Sequence, residues 1–213
     1  MEDIILLGGG GHCASVIDTI KESLLFNIVG ILDRPEKIGD VISGVPIVGV
    51  DSDLQNWKEN GVKNAFVTIG SIGDTHLRQK LYQNVKDIGF NFPIIIDKTA
   101  IVSSRAQIKE GSFIGKGAII NTSVKIGKQA IINSGAIVEH DSTIGNYCHI
   151  APGTTLSGSV TIGNFTHIGT NTTIIQGIEV GEGTMIGAGS VVIRNIGNYK
   201  IAYGNPCKEA ENE

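Results

Sequence analysis

The sequence predicts an α/β N-terminal domain of Rossmann-like type joined to an all-β parallel β-helix made of hexapeptide repeats. Three observations predict it. Over residues 1–96, short apolar runs alternate with segments of helical spacing, and the first run leads into Gly8-Gly9-Gly10-Gly11. From Val102 to Val192 an aliphatic residue falls on every sixth position without a slip. The chain also carries 29 glycines in 213 residues, too many for an ordinary globule and too irregular for collagen, which places them in turns. A fixed short period is the mark of stacked-repeat architecture.

The first segment reads in order as follows. Residues 4–7 are a short buried strand, and residues 12–25 take helical spacing through Val16, Ile20 and Leu24. Residues 28–32 form a second strand that ends at Asp33. Residues 45–48 form a third, with Asp51 as the cap of a helix through Trp57. Residues 65–69 are a fourth strand. Residues 74–88 are a helix with Leu77, Leu81, Val85 and Ile88 on one face, capped by Asp74 and stopped by Gly89. Residues 94–96 close the unit. Strands alternating with helices imply a small parallel sheet.

The second segment covers residues 97–194. Three hexads make one triangular turn of 18 residues, so the series from Val102 to Val192 supplies about five turns, roughly 25 Å tall at a strand spacing of ~4.8 Å. The aliphatic position points inward. So does a second, mostly small position four residues later, such as Ala118, Ala130, Ala136, Ser142 and Cys148. Corners are expected at Gly, Asn and Asp, as in Ile-Gly-Asn at 144–146 and 162–164, where positive φ is tolerated. Residues 195–213 are expected to leave the repeat as a polar tail.

Composition excludes several function classes. The net charge of −4 offers no basic footprint for nucleic acid or an anionic membrane. No apolar run approaches the ~20 residues that span a bilayer, and Met1-Glu2-Asp3 is unlike a basic signal-peptide start. Cys13, Cys148 and Cys207 lie far apart without a CxxC pair, which fits a reducing, cytoplasmic setting better than a disulfide framework.

Two constellations can carry chemistry. The glycine run joins a strand to a helix, so its N–H groups can cradle phosphate, with Asp33 placed to contact a ribose or base. It is not a clean GxGxxG, and a tight structural turn without a ligand remains the alternative. In Val138-Glu139-His140-Asp141, an imidazole beside carboxylates can act as a general base, with a carboxylate fixing its tautomer. Gly158 lies 18 residues on, one coil along the same column, where a bare backbone N–H can meet a substrate oxygen. His149 and His167 are also 18 apart and stack on another face, either as part of a site or as a solvated ladder. A metal site needs these histidines to converge, which different faces prevent within one prism, so no metal is expected. Cys148, at an inward position, reads as core.

These residues resemble the bacterial sugar acyltransferases that join a nucleotide-binding Rossmann-like domain to a left-handed β-helix. That group includes the UDP-4-amino-sugar N-acetyltransferases (PglD type) and the sialic acid O-acetyltransferase (NeuD) group. The resemblance rests on Leu6-Leu7 with the glycine run and His12, on Val16-Ile17-Asp18, and on Thr68-Ile69-Gly70 with Arg78. In the β-helix it rests on 133–140, His149, Ala151 and Gly158, and at the end on Gly204-Asn205-Pro206. It implies an acetyl-CoA-dependent acetyltransferase acting on the amino group of a nucleotide-linked sugar. His140 is then the base, and Asp141 or Glu139 orients it. Asn133 lines the acceptor side, and His149, Gly158 and His167 lie on the acetyl-CoA side. Gly9, Gly10, Gly11, His12, Asp33 and Gly70 hold the nucleotide. The resemblance also implies a homotrimer with acetyl-CoA between adjacent prisms. The alternatives are O-acetylation of a sugar hydroxyl, such as on a sialic acid, and a non-catalytic trimeric nucleotide-binding module. The sequence departs from the family pattern at Ala14, Arg34, Asp97-Lys98 and Cys207; the first two fall in the nucleotide region.

Overall fold

A computed structural model describes residues 1–24 and 26–210, and divides into two compact units, Met1–Gly70 with His76–Lys98, and Ser71–Thr75 with Thr99–Glu213. Leu25, the expected helix end, and residues 211–213 of the expected tail lie outside the described residues.

In the first unit the elements are β1 (Glu2–Leu7), α1 (Gly11–Ser23), β2 (Phe26–Leu32), β3 (Val41–Ile42), β4 (Val45–Gly49), α2 (Leu54–Glu59), β5 (Asn64–Val67) and α3 (His76–Ile88). The sheet order is β3-β4-β2-β1-β5. β1 pairs in parallel with β2 and β5, and β2 with β4. Ile4, Ile5, Leu6 and Leu7 are fully buried, as a central parallel strand covered on both faces requires. α1 lays Val16, Ile17 and Ile20 into this core. Gly89, with φ of 92°, ends α3 as expected.

Three local expectations change. β3 pairs antiparallel with β4 through Ser43-Gly44, both at positive φ. That two-residue hairpin was hidden because its strand has only two residues. Asp51 caps nothing: it opens a 3-10 turn, Asp51–Asp53, and the carboxylate of Asp53 accepts the Val50 N–H at 2.9 Å. α3 starts at His76, so Asp74 lies outside it.

The second unit is a parallel β-helix. Its two-residue strands stack at a register of 18, as in Ile119↔Ile137 and Ile131↔His149. One face runs from Ile101–Val102 to Val191–Val192, the second from Gln107–Ile108 to Glu179–Val180, and the third carries Phe113–Ile114 through Ile201–Tyr203. Between Ile114 and Val192 every sixth-position aliphatic is buried. The small inward positions obey a second rule. From Ser112 to Thr172 a hydroxyl there donates to the carbonyl fifteen residues on: Ser112 to Gly127 at 2.8 Å, Thr154 to Gly169 at 3.2 Å, Thr166 to Gly181 at 2.7 Å. The hydroxyls are therefore buried at little cost. Cys148 Sγ follows the same rule toward Gly163 O and is core, as expected.

The corners differ from expectation. Positive φ recurs at every sixth residue from Gly111 to Gly189, and it falls on Tyr147 and Phe165 in place of Asn146 and Asn164. From Gln129 to Gly189 each left-handed residue spends its N–H on the preceding coil, as Tyr147 does on Lys128 O at 2.9 Å and Phe165 on Asn146 O at 2.8 Å. Gly145 is needed for a different reason: a Cβ there would lie 2.6 Å from the Asn164 nitrogen of the next coil. The repeat also runs past its expected end. Gly181 N–H bonds Ile196 O and Met185 N–H bonds Lys200 O, so residues 196–203 stack as a shortened turn. No helix among the described residues is long and apolar enough to cross a membrane.

Candidate active site

His140 stands at a corner of the β-helix, two residues past the strand Ile137–Val138, with its side chain about half exposed (49%). Asp141 takes the left-handed position of that corner, with φ of 62°. This brings its carboxylate to 2.9 Å from His140 Nδ1. An ionised carboxylate only accepts, so Nδ1 carries the proton, and in the neutral ring Nε2 presents its lone pair. Glu139 points elsewhere: its Oε2 takes Asn121 Nδ2 at 2.8 Å and the His140 N–H at 3.3 Å. Asp141 is therefore the carboxylate on the imidazole, and Glu139 ties the corner to the coil before it. Asn121 was not singled out in the sequence, although it stands 18 residues ahead of Glu139, in the same column.

The imidazole lies over Gly158. A Cβ at that position would be 2.6 Å from His140 Cε1 and 2.7 Å from Nε2. The Gly158 N–H is uncommitted. At two other corners the preceding side chain takes the N–H: Asn121 for Thr122 at 2.7 Å, Asn133 for Ser134 at 2.8 Å. Before Gly158 stands Ser157, and among the described residues the Gly158 N–H meets no acceptor. A base nitrogen and an uncommitted N–H thus share one patch.

His149 forms a second cluster. Its Nε2 is 3.1 Å from Asn133 Nδ2 and its Nδ1 3.0 Å from the Ser71 carbonyl. The Asn amide donates to Nε2 and the ring donates to the carbonyl, which fixes a neutral imidazole. His167 packs edge-on against it with ring centroids 4.9 Å apart. His167 is buried, its Nδ1 has no hydrogen-bond partner, and burial lowers its pKa. The histidine column is therefore a partly buried pair, and not a solvated ladder. No group of three His, Cys, Asp or Glu side chains among the described residues could hold a metal ion.

In the first unit the glycine run opens onto a cavity of about 390 Å³ lined by Gly9, Gly10, Gly11, His12, Asp33 and Gly70, together with Lys37 and Thr68. α1 begins at Gly11 with no side-chain cap and no acidic residue in its first turn. That leaves helix N–H groups available to an anion. Asp33, which lines this cavity, is also anchored within the unit. Its Oδ2 accepts the Gly9 N–H at 2.7 Å and Lys37 Nζ at 3.0 Å, and its Oδ1 the Arg34 N–H at 2.8 Å. Partial burial pushes its pKa up, but the N–H donors of Arg34 and Gly9 and the Lys37 ammonium outweigh it and hold the group low. Asp33 is thus a buckle on the glycine loop. Thr68, which donates to Leu7 O at 2.8 Å and Gly8 O at 2.6 Å, and Lys37 complete it. Thr68 entered the sequence reading only through the motif Thr68-Ile69-Gly70, and Lys37 carried no signal there.

Comparison with known proteins agrees with this arrangement. Residues 3–85 match the PglD N-terminal domain, and residues 123–158 and 159–194 match the bacterial transferase hexapeptide (six repeats). A comparison with curated proteins gave no match. Among solved structures, the chain is similar to a histidine-to-asparagine mutant of perosamine N-acetyltransferase from Caulobacter crescentus in complex with CoA and GDP-perosamine. That similarity has a TM-score of 0.93 at 34% identity, covering 100% of this chain and 98% of the other. PerB from the same organism, also with CoA and GDP-perosamine, gives a TM-score of 0.92 at 35% identity, covering 99% and 98%. The acetyltransferase domain of PglB from Neisseria gonorrhoeae, in complex with acetyl coenzyme A, gives 0.89 at 28% identity, covering 98% and 99%.

Proposed function

The chain belongs to the sugar acetyltransferases of the bacterial hexapeptide-repeat transferases, and from that premise we propose that it moves an acetyl group from acetyl-CoA to the amine of a nucleotide-linked amino sugar. The observation that carries the reading is the His140 imidazole, oriented by Asp141 through Nδ1 and lying over the bare Gly158. Structures similar over the whole chain hold CoA with GDP-perosamine, an amine acceptor on a nucleotide.

The sugar amine attacks the thioester carbonyl while His140 Nε2 takes its proton. A C–N bond forms and a tetrahedral oxyanion develops, which the Gly158 N–H receives. The intermediate collapses with cleavage of the C–S bond, and the imidazolium returns its proton to the departing CoA sulfur. General-base help is worth about 10²–10⁴-fold and one oxyanion donor about 10²–10³-fold. Holding two substrates together supplies the rest. In this reading Asn133 and His149 position the acceptor and acetyl group, and His167 backs His149. Residues 1–96 hold the nucleotide through the glycine loop, residues 97–194 carry the transfer, and residues 195–210 of the tail close the prism. The active form is a homotrimer, and three buried free thiols suit a cytoplasmic enzyme.

The test is mass spectrometry of acceptors incubated with acetyl-CoA. Nucleotide-linked amino sugars should gain one acetyl group in an alkali-stable amide. Acetylation only of hydroxyl acceptors such as sialic acid, or no CoA release with any acceptor, would overturn the reading.

A further inference from the structure

Beside the glycine loop lies a second cavity of about 390 Å³, with walls that include Leu32, Val50, Ile69, Leu77 and Leu81, and two carboxylates, Asp33 and Asp51. We propose that this cavity is a guanine pocket and that Asp51 reads the base, accepting its N1–H and N2–H₂ donors. The inference rests on the nucleotide-sugar reading above and deepens it by naming the nucleotide.

Four observations carry it. First, the place is right for a base. The two cavities share Gly8, Asp33 and Ile69, so the apolar one continues the anion cradle. It sits past the C-terminal ends of β2, β4 and β5, where ligands of open parallel sheets bind. Second, the walls are apolar and the volume falls in the range of small-molecule sites. Third, Asp51 has no structural duty. Asp53 takes the Val50 N–H, Asp33 is committed to Gly9, Arg34 and Lys37, and the Asp51 carboxylate accepts nothing from the described residues. Fourth, it is half-buried. Burial, and then the charge of Asp33, push its pKa up against the pull of Lys80. A carboxylate held there without a partner gains from a ligand that brings paired donors.

Only one common base does so. Guanine presents N1–H and N2–H₂ side by side, which match two carboxylate oxygens. Uracil flanks a single N–H with two carbonyl oxygens, and these would face the carboxylate with like partial charge. Cytosine and adenine each pair one amino donor with a ring-nitrogen acceptor. Sites built around paired donors reject analogues that lack them far more strongly than apolar pockets reject a missing methylene.

The experiment is calorimetric titration of the full-length protein and of Asp51→Asn with GDP, IDP, UDP and XDP (xanthosine diphosphate). IDP lacks the 2-amino group, and XDP replaces it with a carbonyl. The wild type should prefer GDP to IDP by about 10-fold or more, and to UDP and XDP by about 100-fold. Asp51→Asn presents one acceptor and one donor, so it should lose the GDP preference and favour XDP. That inversion is something a merely structural role would not produce. Equal affinity for GDP and IDP in the wild type, UDP binding best, or an unchanged base order in Asp51→Asn would overturn the base assignment while leaving the nucleotide reading intact. If none of the four diphosphates bound, the nucleotide reading would fall with it.

Discussion

The carboxylate of Asp141 reaches Nδ1 of His140 at 2.9 Å although the two residues are adjacent in sequence. Neighbours in an extended strand point to opposite sides, so this contact needs a sharp turn between them. The corner supplies it. Asp141 is one of the series of left-handed residues spaced by six, and its N–H is anchored to Thr122 O at 3.1 Å. The repeat thus builds the dyad from the same turn it uses everywhere.

Replacing the base tests the first half of this dyad. His140→Ala should lower kcat by about 10²–10⁴-fold. The KM for acetyl-CoA should hardly move, because the ring acts on the transferred proton. Asp141→Asn keeps the shape but can present its amide to Nδ1 and favour the wrong tautomer. It should lower kcat by less than His140→Ala, again at constant KM. Wild-type kcat in His140→Ala, measured by thiol release, would remove this residue from the mechanism.

Gly158→Ala is the smallest change that reaches the site. The new methyl would sit 2.6–2.7 Å from His140 ring atoms, so the ring must move. Gly158 has an ordinary φ and is covered by the side chain of His140, so a shift of that half-exposed ring should leave folding nearly untouched while kcat falls by at least about 10-fold. Equal thermal midpoints with unequal kcat would confirm the effect as local. Unchanged kcat would mean that the ring's place over Gly158 is unimportant.

The β-helix was legible because its signal is a strict period, and each inward side chain repeats one environment. The column logic placed Gly158 beside His140 and His167 beside His149 from spacing alone. The sequence could not separate Glu139 from Asp141, since both flank the imidazole; only the left-handed φ of Asp141 decides. Corner residues were misassigned because Tyr147 and Phe165 adopt a conformation usually linked with Gly or Asn, held there by inter-coil hydrogen bonds and not by local preference. In the first unit, the expected helix cap Asp51 is an uncommitted carboxylate, because Asp53 takes the Val50 N–H, while Asp33 is anchored on the glycine loop, a contact that no spacing foretold.

Core energetics can be tested within the repeat. Ile150 is fully buried between coils, whereas Val102, in the first coil, is only half-buried. Ile150→Ala should cost about 2–5 kcal/mol of stability, and Val102→Ala clearly less. Denaturant midpoints measured at one protein concentration would show it. Equal losses would mean that the end coil is covered as well as the middle.

The buried His167 gives a pH dependence of stability with a definite sign. Its folded pKa lies below its unfolded value because burial disfavours the charged ring, and its Nδ1 has no partner to offset that. Well above the ordinary histidine pKa of about 6.5 the ring is neutral in both states and contributes no pH-linked term. As pH falls through that value, the unfolded chain takes up the proton and the folded chain does not, so unfolding gains. The thermal midpoint should therefore fall between pH 7.5 and about 5.5. Asp33 cannot produce this loss, because its lowered pKa moves its own contribution down below the carboxylate range. Asp51, with a raised pKa, acts with the opposite sign. His167→Gln removes the titrating ring and should flatten the profile in that window, even if its midpoint at pH 7.5 is lower. Protein concentration must be held fixed, since assembly also shifts the midpoint. Parallel profiles for the two proteins would place the proton uptake elsewhere, and His149, in edge contact with His167, would be the next ring to replace.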